Sequence, residues 1–124
     1  LSLEEVGRSV QGRAIHLLTV GTGPRRILLW SQMHGDEPSA TPALLDAAFT
    51  LLASDAPEAR AILESFTLLV VPMLNPDGAE RYARRNAQAS NGTPARHTAR
   101  ISRSMRSPWK RCSAIGITIA VRRG

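Results

Sequence analysis

Apolar runs alternate with turn-forming residues over the first two thirds of the chain, and three of these runs predict β-strands: residues 14–20, 26–31 and 66–71. The second run holds four consecutive large apolar residues, which is typical of a strand covered on both faces of a sheet, and the third has the same character. A Gly-Thr-Gly-Pro turn follows the first run, and Pro72 ends the third.

A helical spacing of apolar residues separates the second and third predicted strands. We expect one helix over residues 41–53, with Ser39 as its N-cap, and a shorter helix over residues 58–64. Residues 75–78 predict a turn, and residues 79–85 predict one or two helical turns. The apolar face of the first helix is expected to face the core. Its members are Leu44, Leu45, Ala48, Phe49 and Leu52.

The order strand, strand, helix, strand with short connections predicts an α/β layer fold with a mixed sheet. In such sheets, ligands gather in the crevice at the carboxyl ends of the strands. His34 and Glu37 follow one predicted strand, and Asn75, Asp77 and Arg84 follow another. We therefore expect these side chains to converge at one edge of the sheet.

The basic character of the chain is confined to its last part. The formal net charge is +6, yet residues 1–92 contain eight Arg and ten acidic residues, whereas residues 93–124 contain eight Arg or Lys and no acid. Residues 95–111 show neither a helical nor an alternating apolar period. Residues 113–121 are compatible with one strand, but the sequence offers no partner for it. The chain therefore changes its character near residue 91.

Length and composition exclude several classes of protein. The 124 residues fit a single domain with a modest core. No apolar run approaches the roughly 20 residues of a membrane span, and no signal segment is visible, so no membrane partner is expected. Cys112 is the single cysteine, which excludes an internal disulfide. Because the chain begins with Leu1, we expect that an upstream segment was removed or not recorded.

The first candidate for chemistry is the pair His34 and Glu37 directly after the second predicted strand. An imidazole and a carboxylate with two residues between them can reach one cation from a tight loop, and zinc accepts both ligand types. Gly35 permits the sharp turn that this requires. The alternative is a solvated His and Glu on a strand-to-helix loop. Asp36 either hydrogen-bonds an imidazole or is solvated.

The second candidate is the guanidinium pair Arg84 and Arg85. Within a cleft, an arginine can bind a substrate carboxylate with two hydrogen bonds or stabilise an oxyanion; the alternative is a solvated helix end. No third zinc ligand is evident. His16 lies inside a predicted strand and is expected to be structural or exposed, and His97 lies in the patternless basic segment.

Four blocks of this sequence together resemble the zinc metallocarboxypeptidase family, the carboxypeptidase A-like group. They are residues 6–13, 33–41, 70–78 and 84–86, and they occur in the family's order and spacing over about the first 90 residues. The resemblance implies an incomplete mixed-sheet α/β/α layer fold of the zinc carboxypeptidase type. It also implies one zinc ion and a peptide or peptide-like substrate with a free carboxylate.

The resemblance also implies roles for individual residues. His34 and Glu37 match the first two zinc ligands. Arg84 matches the arginine that polarises the scissile carbonyl and binds substrate, with Arg85 as the neighbouring possibility. Asn91 matches the first residue of an Asn-Arg pair that binds the terminal carboxylate of the substrate. In the family, a second histidine completes the metal site and a distant glutamate is the general base.

The chain departs from the family pattern directly after Asn91. Residues 91–95 can be written as AAC GGG ACG CCC GC, and one additional C after AAC makes the codons read Asn-Arg-Asp-Ala-Arg, as the family pattern requires. We therefore predict two regions: residues 1–91 as the N-terminal part of a catalytic domain, and residues 92–124 as an out-of-frame, disordered basic tail. The alternative is a genuine but divergent extension.

The sequence thus predicts a fragment of a zinc-dependent hydrolase of C-terminal peptide bonds, inactive because the third ligand and the general base are missing. Two alternatives remain open. One is a non-enzymatic α/β module whose basic arm binds nucleic acid, a partner that we do not expect. The other is an amidase or deacylase of the same superfamily.

Overall fold

The computed structural model describes residues 1–87, 110–114 and 117–122 of the chain. Within these ranges the chain forms strands and helices in the order β-β-β-α-α-β-α-β-β. The elements are β1 (Ser2–Arg8), β2 (Ala14–Val20), β3 (Arg25–Trp30), α1 (Ala40–Ala53), α2 (Pro57–Ser65), β4 (Phe66–Val71), α3 (Pro76–Glu80), β5 (Lys110–Ala114) and β6 (Ile117–Arg122).

The strands form one mixed sheet in the order β1-β2-β4-β3-β6-β5. The central pair, β3 and β4, is parallel, and Trp30 at the end of β3 lies opposite Val71 at the end of β4. All other pairs are antiparallel. Because β3 and β4 end at the same edge, the segments that follow them leave the sheet side by side. The predicted mixed-sheet α/β fold is confirmed.

Two groups of buried apolar side chains pack on the central strands, because successive residues of a strand point to opposite faces. One group joins β2 and β4 to α1 and is extended by partly buried side chains of both long helices. It contains Leu18, Val20, Leu44, Ala48, Leu68 and Val70. The other group belongs to the strands and to the segment after β4. It contains Ile15, Leu17, Leu28, Trp30, Leu69, Val71 and Leu74.

The sequence located most of these elements to within one or two residues, and it gave the bounds of β2 and β4 correctly. Ser39 is the N-cap residue of α1, as expected, although its side chain makes no cap hydrogen bond. Three details were wrong. Phe49 is 50% exposed rather than in the core. The short helix spans Pro76–Glu80 instead of residues 79–85. β1 was not predicted, because its residues are largely exposed and lack a clear apolar period.

The last part of the chain contributes a β-hairpin to the sheet. β5 pairs with β6, and β6 pairs antiparallel with β3, with Leu28 opposite Ala120. The sequence predicted one strand over residues 113–121 without a partner, so both the number of strands and their pairing differ from that expectation. Within the described residues, no helix has the length and apolar character needed to span a membrane.

Candidate functional site

The candidate site begins where β3 and β4 end together. The backbone N–H of Ser31 donates to the Val71 carbonyl at 3.1 Å, which continues the parallel pairing by one residue. The Ser31 hydroxyl donates to the Pro72 carbonyl, and the Leu74 N–H donates back to the Ser31 carbonyl at 3.1 Å. Ser31 is fully buried. The segments that follow β3 and β4 are therefore hydrogen-bonded to each other before either reaches the candidate functional residues.

Gln32 shapes the loop that carries His34 and Glu37. Its backbone has φ of 47°, a left-handed conformation that is unfavourable for a residue with a side chain and often marks functional sites. The buried amide donates from Nε2 to the Gly35 carbonyl at 3.2 Å and accepts at Oε1 from the Thr41 hydroxyl at 3.0 Å. We did not identify Gln32 from the sequence. The one available signal was a polar Ser-Gln pair directly after a buried strand.

Gly35 packs directly against the turn after β4. A Cβ atom on Gly35 would overlap the backbone of Gly78 and Ala79. Asn75 holds this turn in shape, since its side-chain Oδ1 accepts from the Gly78 N–H at 3.0 Å. Only a glycine between the two candidate ligands therefore allows the loop after β3 to approach the turn after β4 so closely.

His34 and Glu37 both lie in this loop and are partly buried. The Glu37 N–H donates to the His34 carbonyl at 3.2 Å, so the segment between them forms a tight turn. The Nδ1 atom of His34 is buried and has no hydrogen-bond partner among the described residues. Buried polar atoms without a partner are rare in folded proteins and call for an explanation such as an absent ion.

Arg84 reaches the same loop. Its Nη1 lies 2.6 Å from Glu37 Oε1 and 3.9 Å from Asp36 Oδ1. The side chains of Arg84 and Glu37 are 58% and 44% exposed, so this ion pair is a solvent-screened contact of small energy. Asp36 Oδ1 is buried and has no hydrogen-bond partner within the described residues, although the side chain as a whole is 32% exposed.

The remaining candidates are Arg85, Asn91, His97 and His16. Arg85 is exposed, and Asn91 and His97 lie outside the described residues. His16 is exposed on β2, opposite Glu5 of β1. The sequence predicted that His16 is either structural or exposed, and the structure agrees with the second alternative. The structure thus brings together His34, Glu37 and Arg84.

Asp77 departs from the expected convergence. Its carboxylate points to the turn between β1 and β2, where Ser9 Oγ donates at 2.6 Å, the Gln11 N–H at 3.2 Å and Arg13 Nη1 at 2.9 Å. Burial raises the pKa of the Asp77 carboxyl, but these hydrogen bonds and the charge of Arg13 outweigh burial and hold the pKa below its ordinary value. Asp77 is therefore a buried, fully partnered anion and not a free ligand.

The described residues fit part of a metal site. No cluster of three His, Cys, Asp or Glu side chains that suits a metal ion occurs in residues 1–87, 110–114 and 117–122. An open catalytic zinc site uses three protein ligands and keeps one position for water. The unpartnered Nδ1 of His34 and the carboxylate of Glu37 are the right donor types for two of the three.

Comparison with known proteins defines the class. The family model "Zinc carboxypeptidase" matches residues 1–118. Carboxypeptidase M of Mus musculus is 31% identical over 99 residues, which are 73% of this chain and 22% of that protein. Carboxypeptidase E of Caenorhabditis elegans is 33% identical over 89 residues, 64% of this chain and 19% of that protein. The chain belongs to the zinc carboxypeptidase family.

Solved structures agree with this assignment. A metallo-carboxypeptidase from Pseudomonas aeruginosa, in complex with (2-guanidinoethylmercapto)succinic acid, superposes with a TM-score of 0.68 at 28% identity and covers 83% of this chain and 32% of that chain. A metallo-carboxypeptidase from Burkholderia cenocepacia gives 0.68 at 26% identity, covering 86% and 34%. The chain thus spans about a third of these structures and about a fifth of the curated relatives.

Proposed function

We propose that this chain supplies one half of a metallocarboxypeptidase active site: two zinc ligands, His34 and Glu37, and one substrate-directed cation, Arg84. The observation that carries the proposal is the buried Nδ1 of His34, which has no hydrogen-bond partner in the described part of the chain. Glu37 lies three residues later, and its carboxylate pairs with the exposed side chain of Arg84. Membership of the zinc carboxypeptidase family supports zinc as the ion.

The chain's own groups divide the work as follows. His34 and Glu37 would hold the ion at the carboxyl end of β3, in the loop that begins with the left-handed backbone of Gln32. When bound, zinc supplies Lewis-acid chemistry, because it acidifies water and polarises a carbonyl group. Arg84 leaves Glu37 and donates hydrogen bonds to the substrate carbonyl, where a guanidinium stabilises developing negative charge.

The proposed substrate is a peptide or peptide-like molecule with a free terminal carboxylate. The bound ligand of the Pseudomonas aeruginosa neighbour is named as a succinic acid derivative, which supports recognition of carboxylates at such a site. In this chain, Arg84 and Arg85 are exposed and carry the charge for that role. The family resemblance supports Asn91 as a further substrate-binding residue. The relatives reported above are carboxypeptidases, which favours this activity over an amidase, a deacylase or a nucleic-acid-binding module.

We infer that the chain by itself has little or no hydrolase activity. No acidic residue follows Glu80, so a glutamate base from a later part of the domain is missing from this polypeptide. A site with two protein ligands also binds zinc less tightly than one with three. Release of a chromogenic C-terminal residue should stay at the background rate. Activity that chelation and His34→Ala both abolish would contradict this inference.

Zinc titration of the full chain tests the metal site. Wild type should bind one zinc ion weakly, and His34→Ala should weaken the affinity by more than about tenfold, because even loss of a group outside the ligand shell costs about 10- to 100-fold. His16→Ala is the matched control, since His16 is an exposed histidine of the same chain and should have no effect. Equal losses in the two variants would contradict the assignment.

We also propose that residues 92–124 are read out of frame. The excess of Arg without acid after residue 92 supports this proposal. The alternative is that these residues are a genuine extension. The family match up to residue 118 and the pairing of β6 with β3 support that alternative. Sequencing the encoding DNA decides between them: a single-base change after the codon for Asn91 should restore a frame that encodes a histidine ligand and a glutamate base. If no such change exists, the proposal fails.

A further inference from the structure

Residues 6–13 lie at the turn between β1 and β2. They are one of the four blocks that resemble the zinc metallocarboxypeptidase family, but the resemblance implied no role for them. This turn is held by its own hydrogen bonds. The Ser9 N–H donates to the Arg13 carbonyl at 2.8 Å, the Arg13 N–H donates to Ser9 Oγ at 3.0 Å, and Gly12 adopts φ of 80°. Ser9, Gln11 and Arg13 are thereby oriented toward a single group, the carboxylate of Asp77.

Asp77 is 1% exposed and lies more than 60 residues away along the chain from each of these donors. A buried carboxylate is costly unless it is hydrogen-bonded, and here both of its oxygens accept hydrogen bonds, from three donors that include a guanidinium. The contact therefore fixes the turn after β4 against the turn between β1 and β2. The anchored residue is the direct neighbour of Gly78.

Gly78 connects this anchor to both parts of the candidate site. On one side, the backbone of Gly78 is in close contact with Gly35, between the ligands His34 and Glu37. On the other side, the Gly78 carbonyl accepts from the Ala83 N–H at 2.8 Å, directly before Arg84. The Asp77 carbonyl accepts in addition from Arg81 Nε at 3.3 Å. One backbone unit thus supports the metal-binding loop and the arginine together.

We propose that Asp77 is a positioning residue for the zinc site: anchored by Ser9, Gln11 and Arg13, it sets the location of Gly78 and, through it, the relative placement of the ligand loop and Arg84. This inference rests on the proposed function, since it assigns the anchor to that same site. Asp77 touches neither ligand, so its effect passes through backbone contacts alone. The turn between β1 and β2 therefore supports the geometry of the proposed zinc site.

The test compares the full chain as wild type, Asp77→Asn and Asp46→Asn. Asp46 is an exposed carboxylate on α1, so Asp46→Asn makes the same chemical change away from the anchor. Two quantities are measured in each: the affinity for zinc alone, and the amide exchange rates of Glu37, Ala83 and a core residue, Leu69. Local loosening accelerates exchange only near the change, whereas global destabilisation accelerates all amides that exchange by unfolding.

We expect Asp77→Asn to weaken zinc binding about tenfold and to accelerate exchange at Glu37 and Ala83 by a larger factor than at Leu69, whose rate reports the loss of global stability. Asp46→Asn should leave all of these unchanged. If Glu37, Ala83 and Leu69 accelerate alike, or if none changes, Asp77 serves stability alone and the proposal is overturned.

The zinc site and the anchor can fail separately. If wild type binds no zinc while Asp77→Asn accelerates exchange at Glu37 and Ala83 more than at Leu69, the metal site is wrong but the positioning role stands. If Asp77→Asn does not fold, as judged by circular dichroism, Ser9→Ala carries the same test, because it removes the shortest of the three hydrogen bonds and leaves the charge pair of Asp77 with Arg13 in place. Unchanged exchange at Glu37 and Ala83 in a folded Ser9→Ala variant would again overturn the proposal.

Discussion

Two groups of polar side chains lie at the same edge of this sheet, and they are built in opposite ways. Around Asp77, a buried carboxylate receives three hydrogen bonds from the turn between β1 and β2. Around His34, a buried ring nitrogen and the buried Oδ1 of Asp36 have no hydrogen-bond partner within the described residues. The Glu37 carboxylate is held there by an exposed arginine.

The Asp77 group has the features of a structural polar network, whereas the His34 group has those of a ligand-binding site. A buried network stabilises a fold only when its members are satisfied, and the Asp77 group is closed in this sense because both carboxylate oxygens accept hydrogen bonds from the protein. The His34 group has open capacity, which costs stability in the free protein and is recovered when an ion binds. Substitutions in the closed group should therefore affect stability, and ion binding only through the position of Gly78, whereas substitutions in the open group should affect ion binding directly.

The largest effect is expected where the two groups meet. Gly35→Val should destabilise the fold by about 3 kcal/mol or more, because its Cβ would overlap the backbone of Gly78 and Ala79, which cannot move away as a flexible side chain can. Urea unfolding followed by circular dichroism measures it. Gly7→Ala is the control, since a Cβ at Gly7 meets no atom within 4 Å. A Gly35→Val variant as stable as Gly7→Ala would contradict the close approach.

A smaller loss is expected inside the closed group. Ser9→Ala should cost about 1.5 to 3 kcal/mol, the range for a hydrogen bond to a charged partner, because Asp77 loses the Ser9 hydroxyl. Ser2→Ala, at an exposed position of β1, should stay within about 0.5 kcal/mol of wild type in the same urea experiment. Equal effects of the two substitutions would show that the network around Asp77 adds no stability.

The pH dependence of stability gives a third test of the closed group. Since the folded protein holds the pKa of Asp77 below its ordinary value of about 3.9, the stabilisation is complete above that pH and is lost as the pH falls through the folded pKa. Wild type should therefore exceed Asp77→Asn by a constant margin above about pH 5, and the margin should shrink below about pH 4. Urea unfolding at a series of pH values measures this margin. A stability margin that grows on acidification would contradict a lowered pKa of Asp77 in the folded protein.

Features that depend on neighbouring residues in the chain could be predicted from the sequence, whereas features that depend on distant contacts could not. The strands β2 and β4 were found because apolar runs are local patterns. The His-x-x-Glu spacing after β3 is also a local pattern, and it predicts the two ligands that we propose there. The role of Asp77 was missed, since its donors lie more than 60 residues away and the local motif indicates only a turn. Gln32 was missed because its left-handed backbone depends on the packing of Gly35, Thr41 and Asn75 around it.

The smallest effect is expected at the exposed ion pair of the open group. Arg84→Gln should change the free energy of unfolding by less than about 1 kcal/mol, because both partners are solvent-screened. It should strengthen zinc binding about two- to fivefold, since Glu37 no longer has a competing cation. Calorimetric titration with zinc measures this, and Arg60→Gln on α2 is the control. Weaker zinc binding in Arg84→Gln would show that Arg84 supports the ion instead of competing with it.

The central claim is that His34 holds a zinc ion through Nδ1 at the end of β3. The most direct measurement is nitrogen-15 NMR of the histidine rings of the full chain during zinc addition. We predict a large change of the Nδ1 resonance of His34, with the ring of His16 unaffected. A His34 ring that does not respond to zinc, or that responds at Nε2 while Nδ1 keeps its resonance, would contradict the account.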